Sequence, residues 1–115
     1  MEDEPLLRLD AVDMMEDAGF TAYEAKDADT ALQVLETHTE IGVLFTDIDM
    51  PGSMDGLCLA RTVRNRFPHI AIVVVSGQKT PMRAEMPKDG GFVPKPYVRE
   101  AVLTALRDTM EKTES

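Results

Sequence analysis

The chain has 115 residues, 43% hydrophobic and 29% charged, which is ordinary for one soluble globular domain and too apolar for a disordered tail. Its 12 Lys+Arg against 21 Asp+Glu give a net charge of −9, which repels phosphate backbones and argues against nucleic acid as a direct partner. No apolar run nears the roughly 20 residues of a bilayer span, the acidic start MEDEPLL is unlike a signal peptide, and the single Cys58 excludes an internal disulfide or a Cys-based zinc cage and suits a reducing cytoplasm.

Taken in order, Pro5 to Asp17 carries Leu6, Leu9, Val12 (or Asp13) and Met14 at helical spacing, with Gly19 as its stop. Phe20-Thr-Ala-Tyr-Glu24 alternates like an edge strand. Asp29 then caps a helix with Ala31, Leu32 and Leu35 on its apolar side. Gly42 to Thr46 reads as a buried strand. Asp55 or Gly56 opens a third helix carrying Leu57, Ala60 and Val63, running on through Arg64 to Phe67 and closed by Pro68. A second apolar strand, Ile70 to Val75, leads into the stretch Gly77 to Gly90. That stretch holds Pro81 and Pro87 without a clean apolar period, so any helix in it is short or irregular. Gly91 to Val93 is the next strand. Val98, Val102, Ala105 and Leu106 form the last helical stripe, which frays into the polar tail Glu111 to Ser115. Apolar strands alternating with amphipathic helices imply an α/β fold, a doubly wound parallel sheet in one domain over residues 1–115, with 110–115 as tail.

Ligands of open parallel sheets sit beyond the carboxyl ends of the strands. Asp47 and Asp49, Ser76 and Gly77, and Lys95 all fall there, and Glu2 and Asp3 stand just before the first helix. Carboxylates of Asp3 and Asp47 suit a hard cation such as Mg²⁺. A carboxylate can also be a nucleophile that forms an acyl phosphate. A lysine and a metal neutralise the charge on a transferring phosphoryl group while a hydroxyl bonds it. Asp47 fits the nucleophile, Lys95 the counter-charge and Ser76 the hydroxyl.

These residues resemble the receiver domain of two-component response regulators. The likeness rests on Glu2-Asp3 before a Pro-led helix, Asp47 followed by Met50-Pro51-Gly52, Asp55-Gly56 opening a helix, Ser76-Gly77 after a strand, and Lys95-Pro96-Tyr97. It runs from Glu2 to about Met110. The resemblance implies a flavodoxin-like sheet in the order 2-1-3-4-5 and phosphorylation of Asp47 by a histidine kinase or phosphotransfer protein. It also implies Mg²⁺ on Asp3 and Asp47, with Glu2 nearby and the backbone carbonyl of Asp49 as a further ligand. Ser76 and Phe92 would form a switch pair, Lys95 would contact the phosphate, and the Lys95-Pro96 bond would be cis. Such a protein is a signalling domain rather than a turnover enzyme, and the likeness leaves a homodimer open.

Two departures stand out. The family begins with a buried apolar strand before the acidic pair, whereas only Met1 precedes Glu2 here. Losing four or five buried side chains, at roughly 1.5–3 kcal/mol each, rivals the whole stability of a domain, about 5–15 kcal/mol, so the chain as written is expected to be marginally stable. The fourth crossover is short and interrupted by prolines, which alters the face that in the family often carries output contacts and dimerisation, and Gly77, where alanine is common, removes a methyl beside the phosphoryl pocket. With no output domain attached, the chain reads as a stand-alone receiver acting by protein contact or as a phosphate sink. Two alternatives compete. One is a binding-only version of the same fold. The other is a haloacid-dehalogenase-like phosphatase, because Asp47-Ile-Asp49 matches its nucleophile and acid–base pair; Pro51 and the lack of an acidic pair after the lysine weigh against it. Taken singly, Met14 and Met15 read as packing, Cys58 as an inert thiol, and His38 and His69 as unlinked to any metal.

Overall fold

A computed structural model describes residues 5–48, 56–77 and 86–114. Within them the order is α1 (Pro5–Asp17), α2 (Ala28–Thr37), β1 (Val43–Asp47), α3 (Gly56–Arg66), β2 (Ala71–Ser76), β3 (Gly91–Pro94) and α4 (Arg99–Glu114). Pro5 suits the first turn of α1, where its missing N–H costs nothing. Gly19, at φ 96°, ends the helix, and the Phe20 N–H turns back to the Met15 carbonyl at 3.0 Å. The N-cap of α2 is Asp27, not Asp29: the extended backbone at Asp27 lets its carboxylate accept the Thr30 N–H at 2.8 Å, while Asp29 already lies inside the first turn. That bond holds the Asp27 carboxyl below its usual range.

The strands pair in parallel in the order β1-β2-β3, with Asp47 opposite Val75 and Val73 opposite Gly91. β2, in the middle, is buried along its whole length, as a parallel strand covered on both faces must be. One face packs against α2 and α3, where Ala31, Leu35, Leu59 and Val63 meet Leu44, Ile72 and Val74. The other packs against α1 and α4, where Met14, Met15, Val102 and Leu106 meet Val73, Val75 and Val93. Helices on both faces make the sheet doubly wound.

Several sequence expectations change. Phe20 to Glu24 forms no strand among the described residues. Alternation makes a strand only when a neighbour supplies the ladder. Here the segment faces Val43 to Phe45 across a groove of about 490 Å³. Side chains hold it instead: Arg8 pairs with Glu24 at 3.1 Å, and the Tyr23 hydroxyl donates to Glu40 at 2.8 Å. Leu6 and Leu9, read as the apolar side of α1, are 75% and 60% exposed, so α1 is anchored by Met14 and Met15 at its far end. Val98 lies outside the last stripe, exposed just before α4, and that helix continues to Glu114 through residues read as a fraying tail. Arg64 lies inside α3, as expected. Its guanidinium donates to the carbonyls of Pro68, Ile70 and Lys88, tying the end of α3 to the loop before β3. The short fourth helix expected after Gly77 falls largely on 78–85, outside the described residues.

Candidate functional site

The carboxyl ends of the three strands bring the candidate residues to one rim. Asp47 ends β1, Ser76 ends β2, and Lys95 follows the last residue of β3. The Lys95 N–H continues the parallel ladder by donating to the Ser76 carbonyl at 2.9 Å, and the peptide bond that follows, Lys95-Pro96, is cis as expected. Tyr97 then sets its ring edge-on to Phe45 of β1, centroids 6.0 Å apart, so the loop after β3 leans back across the sheet. From there the Lys95 ammonium donates to Oδ2 of Asp47.

Asp47 is 4% exposed. A carboxylate withdrawn from water that far is destabilised unless a partner offsets the lost solvation, and Lys95 is that partner. The lysine itself keeps about a quarter of its side chain in solvent. Its stem passes over Gly77, where an added Cβ would come within 3.3 Å of Lys95 Cβ and 3.8 Å of its Cδ. A bare position at 77 therefore gives the lysine room to reach down to the aspartate.

Ser76 is buried. By strand alternation its side chain falls on the α2–α3 face, as does Phe92, which is half-buried against that core. The two residues of the expected switch pair therefore share a face. Thr46, Val74 and Phe92 lie in one row across the sheet.

Glu2, Asp3 and Asp49, and with them the Met50-Pro51-Gly52 and Asp55 features, lie outside the described residues. Of the expected magnesium ligands only Asp47 falls within them, and no group of three or more metal-ligating side chains occurs among the described residues. The donor chemistry of Asp47 fits the ion: an anionic oxygen at an open strand end is what a hard divalent cation takes.

Two further contributors are not among the expected site residues, although Gly56 reads as opening α3. The Thr46 hydroxyl, fully buried, donates to the carbonyl of Asp47 at 3.0 Å. Gly56, first residue of α3, lies so near that a Cβ there would sit 2.1 Å from that same oxygen. A glycine one residue after an aspartate at a helix start was the available signal for the second. Nothing local signals the first. Among the other residues, Met14 and Met15 are packing, Cys58 is half-buried in α3, and His38 stacks on Tyr23 with its Nδ1 3.4 Å from Glu40.

Comparison with known proteins agrees with this arrangement. The response regulator receiver domain family model matches residues 1–107. The sensor kinase CckA of Brucella abortus is 33% identical across 97% of this chain, which spans 12% of that protein. The nitrogen assimilation regulatory protein NtrX of Azorhizobium caulinodans is 28% identical across 96% of this chain, which spans 25% of it. Among solved structures, a response regulator receiver protein from Sinorhizobium medicae superposes with a TM-score of 0.89 at 26% identity, covering 97% of this chain and 91% of that one. A receiver domain from Clostridium thermocellum shares the fold with a TM-score of 0.84 at 20% identity. With its parallel sheet, its covering helices and an acid, a hydroxyl and a lysine on one rim, the chain belongs to the response regulator receiver domain family.

Proposed function

We propose that Asp47 is the phosphoacceptor of a two-component phosphorelay, charged by a histidine kinase or a histidine phosphotransfer protein in the cytoplasm. The observation that carries this reading is the buried Asp47 carboxylate at a strand end, held by the Lys95 ammonium. An Asp47 oxygen attacks the phosphorus of a phosphohistidine; the P–N bond breaks, an O–P bond forms, and the imidazole leaves. Water later attacks the acyl phosphate and returns the carboxylate and inorganic phosphate.

The residues of the chain divide this work. Lys95 exchanges its aspartate oxygen for a phosphoryl oxygen, so its charge stays opposite the anion throughout. The Ser76 hydroxyl donates to a second phosphoryl oxygen, and Phe92, on the same face, moves inward behind it. Mg²⁺, when bound by Asp47 with Asp3, Glu2 and the Asp49 carbonyl, supplies further positive charge to those oxygens. The outcome is a changed protein-binding surface over the single domain.

A small phosphodonor such as phosphoramidate, with Mg²⁺, tests the reading. Intact mass spectrometry should show one added phosphoryl group on the wild type and none on Asp47→Asn, with the variant still folded. Equal labelling of both proteins would place the acceptor elsewhere.

A further inference from the structure

We infer that Thr46 is a positioning residue for Asp47, acting with Gly56 through the Asp47–Ile48 peptide; the inference rests on Asp47 being the acceptor. Three elements grip that peptide. The Thr46 hydroxyl donates to the Asp47 carbonyl at 3.0 Å. The Ile48 N–H donates to the Val75 carbonyl of β2 at 3.0 Å. On the remaining side the start of α3 presses close: an ideal Cβ on Gly56 would come 2.1 Å from the Asp47 carbonyl oxygen and 2.7 Å from Ile48 Cα. Real Cβ atoms essentially never approach so near, so any side chain at 56 would push the peptide aside.

This grip matters because an aspartate is short. Two rotatable bonds separate its carboxylate from the backbone, so the direction from which Asp47 meets an incoming phosphorus is set mainly by the peptide that carries it. Displacement of a reacting group by about 1 Å can cost on the order of 10²-fold in rate. Thr46 is also an expensive choice for packing alone. Its side chain is fully buried, where a hydroxyl is unfavourable unless bonded, and valine has nearly the same shape and favours strands. The hydroxyl therefore does what valine cannot: it fixes the orientation of the carbonyl at the point where β1 ends and the chain turns away.

The test compares wild type, Thr46→Val, Thr46→Ser and Gly56→Ala for the rate of labelling by phosphoramidate with Mg²⁺, alongside the thermal midpoint of each. Thr46→Val should label roughly tenfold or more slowly while its midpoint stays at or above that of the wild type. Thr46→Ser should return to within about twofold of the wild-type rate, and Gly56→Ala should be slower than Thr46→Val. Three results would overturn the inference: wild-type labelling in Thr46→Val, a Thr46→Ser variant as slow as Thr46→Val, or a Thr46→Val rate that falls only together with its midpoint. If Thr46→Val labels normally while Asp47→Asn stays unlabelled, the inference fails and the acceptor reading stands. If Asp47→Asn labels like wild type, both fail.

Discussion

The two flanks of the site are built differently. On the β1 flank, Asp47 and Thr46 are buried, and the Asp47–Ile48 peptide at the end of β1 is held by ladder, hydroxyl and close contact with α3. On the β3 flank, Lys95 follows the end of the strand with about a quarter of its side chain in solvent and reaches the aspartate on a flexible four-carbon stem; Phe92 is only half-buried. One flank is suited to hold an acceptor still and the other to change position. A phosphoryl group on the β1 flank would meet partners on the β3 flank that can follow it at small cost, because few packed contacts have to be broken.

Truncating the buttress under the rigid flank tests that contrast most severely. Leu59 in α3 is completely buried, and Leu59→Ala should lower stability by about 2–5 kcal/mol. Val98→Ala, on the exposed loop of the other flank, should stay within about 0.5 kcal/mol. Chemical denaturation measures both, and equal losses would erase the distinction. Lys95→Ala should come next: Mg²⁺ affinity by titration stays largely in place, while phosphorylation no longer alters partner binding. An unchanged partner response would take Lys95 out of the relay. Gly77→Ala should be the mildest. Its methyl must displace the lysine stem by a few tenths of an ångström, so the acyl phosphate lifetime should shift by less than about tenfold. No shift at all would mean the lysine has room to spare.

Much of this was legible because strands and strand ends carry strong local signals. The runs Gly42 to Thr46, Ile70 to Val75 and Gly91 to Val93 lie within a residue of the observed strands, and naming their ends named Asp47, Ser76 and Lys95. The cap of α2 was displaced by two residues because Asp27 and Asp29 are chemically equal candidates, and only backbone geometry chooses between them. Leu6 and Leu9 show that helical periodicity states which residues could face a partner, not that one is there. Phe20 to Glu24 makes the same point for strands. Arg64 and Gly56 work through contacts with residues distant in the chain, such as Lys88 and Asp47, and no window of sequence contains both partners' geometry. The ion pairs of Arg99 with Asp10, Asp13 and Asp17 join α4 to α1 in the same non-local way.

The central strand carries one more consequence. β2 is hydrogen-bonded along both edges and buried at every residue, so no local fluctuation can hand its amide hydrogens to water. They exchange only when the domain opens as a whole, which makes the deuterium uptake of Ile72, Val73 and Val74 a direct clock for global unfolding. Uptake at Gly77, exposed just beyond the carboxyl end of β2, would run on a faster, separate clock. Reading the two together on one sample would separate a loosened site rim from a weakened fold.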